Sequence, residues 1–221
     1  MSESQVNLSE HRVGECKLLS PYAVLMRKEV QWRFTGAFPE LVVLDFDGVL
    51  TDNGVWVNED GTESVRCDRS DGLGLAMLRE AGVDVLVLST EQNSVVAARC
   101  KKLELAVEYG IRDKGSRLSV ILRERGTDPS EVIYVGNDVN DIGCLQLVGT
   151  AVVVADAHPK VTTLADVVLS RAGGHGAVRD LCDRLLEHAE AQDGNEDPEV
   201  AGLVRMALRQ KNESSTARHR A

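Results

Sequence analysis

The chain of 221 residues has no apolar run approaching the 18 that a membrane-spanning helix needs, so no membrane span is expected. Its first residues, MSESQVNLSEHR, show neither the basic n-region nor the apolar h-region of a secretory signal. Cysteine pairing is missing as well. Cys16, Cys67, Cys100, Cys144 and Cys182 are scattered and form no C-x-x-C pair. Such a set argues against a disulfide frame or a zinc site, and for reduced thiols in a cytoplasmic protein. Net positive charge is also absent: 25 Lys and Arg stand against 35 Asp and Glu, a formal net charge of −10. A nucleic-acid-binding domain carries the opposite sign, so no nucleic-acid partner is expected.

The acid is unevenly placed. Residues 1–40 hold five acids and five bases, and residues 189–221 hold six and five. Residues 41–188 hold 24 acids and 15 bases, and 15 of those acids are Asp, the poorer helix former of the two. This gives three segments: an N-terminal extension over 1–40, a folded domain over 41–188, and a polar tail over 189–221.

Four short Val/Leu/Ile-rich runs stand out in the middle segment: LVVLDFD (41–47), VDVLVLST (83–90), EVIYVGND (131–138) and TAVVVAD (150–156). Apolar runs without alternation suit strands buried on both faces, as in a parallel sheet covered by helices. Helical patterns lie between them, over 72–82, 94–103, 114–126 and 141–149, with Gly82, Gly126 and Gly149 where C-caps belong. Strand alternating with helix predicts a doubly wound α/β fold. One stretch breaks the alternation: GVWVNEDGTESVRC (54–67) reads as a β-hairpin around Glu59-Asp60-Gly61. A long helix is expected after GGHGAVRD (173–180), to about His188. Short helices are expected over 21–34 and 202–211, and the last ten residues read as disordered.

In doubly wound sheets, ligands bind beyond the carboxyl ends of the strands, and the chemically capable residues cluster there. Strand one ends in D-F-D-G-V-L-T-D (45–52), strand two in Ser89-Thr90-Glu91, and strand three in G-N-D-V-N-D (136–141); Lys114 opens the helix before strand three. Carboxylates converging on one rim repel one another unless a cation neutralises them. Oxygen ligands of this kind favour Mg²⁺. Each member has a bland reading too. A lone D-x-D or Ser89 serves as a helix or turn cap, and a lone Lys114 as a solvated surface residue. The ordered set is far more specific than any one of them.

That set resembles the haloacid dehalogenase superfamily of phosphohydrolases. With the hairpin, S-D-G (70–72), V-A-D-A-H-P (154–159) and G-G-H-G-A-V-R-D (173–180), it is similar to the superfamily's small, capless branch. That branch contains 3-deoxy-manno-octulosonate 8-phosphate phosphatases, nonulosonate (sialic-acid-type) 9-phosphate phosphatases, and the C-terminal domain of some acylneuraminate cytidylyltransferases. The resemblance implies that Asp45 attacks phosphorus to give an aspartyl-phosphate. It implies that Asp47 acts as general acid and then base, and that Ser89 and Lys114 hold the phosphoryl oxygens. Asp141 would orient Lys114 or a metal-bound water. Mg²⁺ would bind the Asp45 carboxylate, the Asp47 carbonyl and the third motif. Relatives often have Gly-Asp-Asp where this chain has Gly136-Asn137-Asp138, which leaves Asn137 and Asp138 as alternative ligands.

The substrate implied is a phosphorylated sugar acid, read by Ser70, Asp71, Glu91, Arg99, Lys102 and His175. Octulosonate phosphatases typically have Thr-Gly-Arg where this chain has Ser89-Thr90-Glu91, and Glu there looks like the nonulosonate branch. Arg99 and Lys102 lie three apart on one helix face, suited to a carboxylate, with Arg99 reaching a neighbour's site. The bland reading is that Glu91 caps the helix while Arg99 and Lys102 are solvated. The branch usually forms homotetramers in which a neighbour completes the active site. Two alternatives to the nonulosonate phosphatase stand: an octulosonate 8-phosphate phosphatase, and a non-catalytic tetramerisation module.

Overall fold

The computed structural model describes residues 38–193. The expected helices over 21–34 and 202–211, Cys16, the 1–37 part of the N-terminal extension and the tail beyond 193 lie outside these residues. Strand β1 (Leu41–Leu44) has no side-chain exposure at any of its four positions. Val42 and Leu44 face one apolar cluster while Leu41 and Val43 face another. A strand of period two with both faces covered has no place for a polar residue, which is why the run reads as unbroken.

A hairpin follows, β2 (Thr51–Val57) paired antiparallel with β3 (Glu63–Cys67), and a register shift falls between Thr51 and Val55. The chain then alternates: α1 (Arg69–Glu80), β4 (Asp84–Leu88), α2 (Ser94–Leu103), β5 (Ala106–Glu108), α3 (Lys114–Arg125), β6 (Val132–Gly136), α4 (Ile142–Leu145), β7 (Thr150–Val153), α5 (Pro159–Thr162), β8 (Val167–Val168) and α6 (Ala177–Asp193). Six strands form one parallel sheet in the order β5-β4-β1-β6-β7-β8. This is the expected doubly wound α/β architecture. Leu75 of α1, Cys100 of α2 and Leu181 of α6 cover one face; Leu118 of α3, Leu145 of α4 and Val161 of α5 cover the other. Each fully buried Leu contributes about 1.5–3 kcal/mol. The winding direction reverses at β1, which lies between β4 and β6, so the crevice at a switch point opens beyond the ends of β1 and β6.

Three expectations need correction. The helix expected over 141–149 is a 3-10 turn (Val139–Asp141) followed by only four residues of α4. The reason is local: Asp138 and Asp141 form a reciprocal capping box around that turn. Gly149 is not a left-handed cap like Gly126, whose φ is 74°. A Cβ at Gly149 would lie 2.3 Å from the Ser130 carbonyl oxygen, so close approach demands glycine there. Strands β5 and β8 went unpredicted, and α6 runs on to Asp193. The four cysteines among the described residues are free. Burial raises Cys100 to about 11 and both Cys144 and Cys182 to about 12, which makes them packing groups rather than nucleophiles. No helix among the described residues is long and apolar enough to cross a membrane.

Candidate active site

Asp45 continues from β1 and is 3% exposed. Its Oδ1 accepts the Phe46 N–H at 2.6 Å and the Lys114 ammonium at 2.9 Å. Lys114 is wholly enclosed and also donates to Asp141 Oδ1 at 2.7 Å. Asp141 is equally buried: Oδ1 accepts the Tyr134 hydroxyl at 2.7 Å, while Oδ2 accepts the N–H groups of Asn137 at 2.8 Å and Asp138 at 3.2 Å. One ammonium is thus held between two carboxylates. Burial would lower the Lys114 pKa, but the two carboxylates together outweigh it and the net shift is upward. Burial, then the Asp141 charge, push Asp45 up to about 7 against the pull of Lys114.

Bare backbone makes the triad possible. Gly115 follows Lys114 on α3, and Gly143 lies on α4; a Cβ on Gly115 would stand 2.9 Å from the Gly143 Cα. With no side chain between them, the two helices close up enough for Lys114 to meet Asp141.

Above the triad opens a cleft of about 390 Å³, floored by Asp45, Asp47 and Asn137. Its walls are the hairpin, through Val55 and Glu63, and the start of α2, through Glu91 and Asn93. Asn93 spans the two walls: its Oδ1 caps α2 by accepting the Val95 N–H at 3.0 Å, and its Nδ2 donates to Glu63 Oε2 at 2.5 Å. Asp47 is half-buried, and burial lifts its pKa; a Thr51 hydrogen bond opposes this and the Glu91 charge adds to it. Asn137 is 9% exposed, and its Oδ1 is buried without a hydrogen-bond partner. No Lys or Arg is among the described residues lining the cleft.

The family of haloacid dehalogenase-like hydrolases matches residues 101–180. Over 147 residues the chain is 36% identical to the 3-deoxy-D-manno-octulosonate 8-phosphate phosphatase of Salmonella typhi, covering 66% of this chain and 78% of that one. The chain belongs to the haloacid dehalogenase family of hydrolases. Among solved structures, a Streptomyces avermitilis protein described as a hydrolase of the same family is 48% identical with a TM-score of 0.66, over 67% of this chain and 86% of the other. The Moraxella catarrhalis 3-deoxy-D-manno-octulosonate 8-phosphate phosphatase, solved with magnesium, phosphate and KDO, is 28% identical with a TM-score of 0.66, over 68% and 87%. Within the haloacid dehalogenase family, this chain is a phosphatase.

The residues anticipated for this family site fall into three groups. Asp45, Asp47, Glu91, Asn137 and Asp138 line the cleft. Lys114, Asp141 and Ser89 lie buried beneath it, with Ser89 Oγ accepting the Glu91 N–H at 3.1 Å. The remaining five do not line the cleft of their own chain. Ser70 donates its hydroxyl to Asp68 Oδ1 at the start of α1. Arg99 donates to the Asp68 carbonyl at 3.0 Å, and Lys102 is exposed on α2. His175 Nδ1 donates to the Gly173 carbonyl, which leaves Nε2 facing Arg66 at 3.4 Å. Tyr134, Thr51, Glu63 and Asn93 belong to the site or its frame and were not anticipated. The Tyr134 signal was there, as a lone hydroxyl-bearing residue in an otherwise apolar strand.

Asp71 is the most enclosed of these five. It is fully buried between α1 and α6, its Oδ1 accepts the Arg179 N–H at 2.9 Å, and its Oδ2 has no partner. Burial raises its carboxyl from 3.8 to about 6, with the Arg179 bond opposing. Because the folded state disfavours ionisation, stability is lost as pH rises from about 4 through about 6. Asp71→Asn keeps an acceptor for Arg179 and removes the charge. In urea unfolding it is expected to gain about 1–3 kcal/mol over wild type at pH 7 and nothing near pH 4. Equal effects at the two pH values would mean that the carboxyl ionises as readily in the fold as in the unfolded chain.

Proposed function

We propose that the protein is a magnesium-dependent phosphatase that removes the terminal phosphate of a keto-sugar acid, of the nonulosonate 9-phosphate type. The observation that carries the chemistry is the buried Asp45–Lys114–Asp141 triad opening onto the cleft. Asp45, fixed by Phe46 N–H and Lys114, attacks phosphorus; the phosphorus–sugar oxygen bond breaks as Asp47 protonates the departing oxygen. Asp47, now a base, takes a proton from the water that cleaves the aspartyl-phosphate. Lys114 supplies fixed positive charge, and the Ser89 hydroxyl contributes a hydrogen bond to a phosphoryl oxygen.

The donor set fits a hard divalent cation. Asn137 Oδ1 is a buried oxygen with nothing to accept, and Asp45 is a buried carboxylate whose charge is disfavoured. Among the described residues no three His, Cys, Asp or Glu cluster as a metal site; in this reading the Asn137 amide oxygen and the Asp47 main-chain carbonyl join Asp45 as ligands, with Asp138 at the rim. When bound, the cation neutralises phosphate charge.

Glu91 on the cleft wall supports the nine-carbon substrate, since the resemblance associates Arg with the octulosonate enzymes there. The identity to the Salmonella typhi enzyme favours octulosonate 8-phosphate as a second reading. A sugar carboxylate needs a cation that the lining does not provide, and a homotetramer would supply one. The exposed Val55, Trp56 and Val57 of the hairpin suit such a contact. Scattered free thiols suit the cytoplasm.

The test is a set of initial rates for the full chain with Mg²⁺, and with a chelator, on both sugar acid phosphates and 4-nitrophenyl phosphate. The nine-carbon ester is expected to exceed the eight-carbon ester in kcat/KM by about tenfold or more, the scale at which a well-placed polar group discriminates. The reverse order establishes the second reading. Hydrolysis of 4-nitrophenyl phosphate with neither sugar acid phosphate turned over would place the substrate outside both classes.

A further inference from the structure

Thr51 opens β2 and is wholly buried despite its hydroxyl. A turn wound on the Phe46 carbonyl, which accepts the N–H groups of Leu50 at 2.9 Å and Thr51 at 3.1 Å, carries it back over Asp47. From the far side, Gly174 N–H donates to the Val49 carbonyl at 3.0 Å and pins the turn. A threonine hydroxyl has one proton to give and two lone pairs to receive. Here Thr51 Oγ1 accepts from Gly48 N–H at 3.1 Å and from Asn53 N–H at 3.2 Å. Both lone pairs are taken, and the proton is directed at Asp47 Oδ1, 3.3 Å away.

We infer that Thr51 is a positioning residue for phosphoryl transfer: the two N–H groups on its oxygen turn its proton onto Asp47 Oδ1, so Oδ2 carries the proton delivered to the leaving oxygen. The inference rests on Asp47 being the general acid. An unprotonated Oδ1 accepts the Thr51 proton better than a hydroxyl oxygen would, which favours Oδ2 as the protonated oxygen. The separation of 3.3 Å is long for two oxygens, and such contacts shorten when a substrate fills the site. Asn53, held at φ 62° in the bulge of β2, sets one of the two donors, so the hairpin that walls the cleft also aims the acid.

The experiment exploits leaving groups. Sugar phosphates are alkyl esters whose alkoxide needs a proton, whereas 4-nitrophenolate departs without one. With whichever sugar acid phosphate turns over faster, Thr51→Val is expected to lower kcat about 10- to 100-fold, a share of what a general acid contributes. KM should stay within about threefold, as expected when only the transition state is affected. The pre-steady-state burst of 4-nitrophenolate should also stay within about threefold, because that step needs no acid. Thr51→Ser should restore the alkyl-ester rate. If Thr51→Val is insoluble because the Gly48 and Asn53 N–H groups lose their acceptor, Thr51→Ala, which admits water to them, takes its place. An unchanged alkyl-ester kcat, or a burst that falls in parallel, overturns the inference. Asp47→Asn separates the two levels. If it retains alkyl-ester turnover, the reading of Asp47 itself fails; if it is inactive while Thr51→Val is active, only the role of Thr51 fails.

Discussion

Asp45→Asn is expected to abolish turnover, by on the order of 10⁴-fold or more, as loss of a nucleophile does, while leaving the protein at least as stable as before. The two halves of this outcome come from the same geometry. Asparagine has the shape of aspartate, and its Oδ1 can still accept the Phe46 N–H and the Lys114 ammonium. What disappears is a buried charge that burial and Asp141 disfavour, so the folded state loses a source of repulsion and Lys114 keeps Asp141. Phosphate release and the thermal midpoint at pH 7, measured on one preparation, check both. Turnover surviving in the variant would place the nucleophile elsewhere. A midpoint well below wild type would show that the Asp45 charge is needed to hold Lys114.

Lys114→Met is expected to fail in the opposite way, losing both activity and stability. The side chain is wholly enclosed, and removing it leaves Asp45 and Asp141 buried without their shared cation. Breaking a buried pair by deleting one partner costs about 3–5 kcal/mol. In the metal-free protein the loss should grow as pH rises from about 7 to about 9. Burial raises Asp45; without Lys114 it rises further, and a carboxyl held above its unfolded value loses stability as pH climbs. Adding Asp141→Asn should recover much of the stability and none of the activity. Urea unfolding of wild type and the two variants at both pH values decides it. A loss below about 1 kcal/mol would mean that the shared cation contributes little to stability.

Much of this architecture was legible in the sequence because the same physical demand shaped both. Strands β1, β4, β6 and β7 announce themselves as unbroken apolar runs, since a parallel strand covered on both faces has no polar side to show. Their ends are where the chain must turn, and there Asp45, Ser89 and Asn137 were visible by type and order. The short edge strands were not visible. Val167–Val168 has two residues and Ala106–Glu108 three, too few to establish a period, and both are fixed by neighbours already in the sheet.

The site features that were not legible depend on partners distant in the chain. Asp71 in S-D-G reads as a substrate-binding acid. Within this chain its partner is the Arg179 N–H, 108 residues away, which no local pattern reveals. Thr51 was legible as a letter in D-F-D-G-V-L-T-D, but the bond that pins its turn, from Gly174 N–H to the Val49 carbonyl, comes from far along the chain. Arg99 and Lys102 were correctly placed on one helix, yet spacing says nothing about what lies opposite. In this chain Arg99 meets the Asp68 carbonyl.

The contact of Gly115 with Gly143 has a consequence for how this protein can vary. Neither position bears a functional group, and neither touches the cleft. Yet a methyl on Gly115 would stand 2.9 Å from the opposite Cα, and one on Gly143 would stand 3.2 Å from its counterpart. The first would wedge α3 from α4 and draw the ammonium away from its carboxylate, while the second asks its neighbour to give by a few tenths of an ångström. Drift at Gly115 is therefore closed in the smallest available step, alanine. The tolerance map of this enzyme should contain a silent-looking position that bears no functional group and yet resists change.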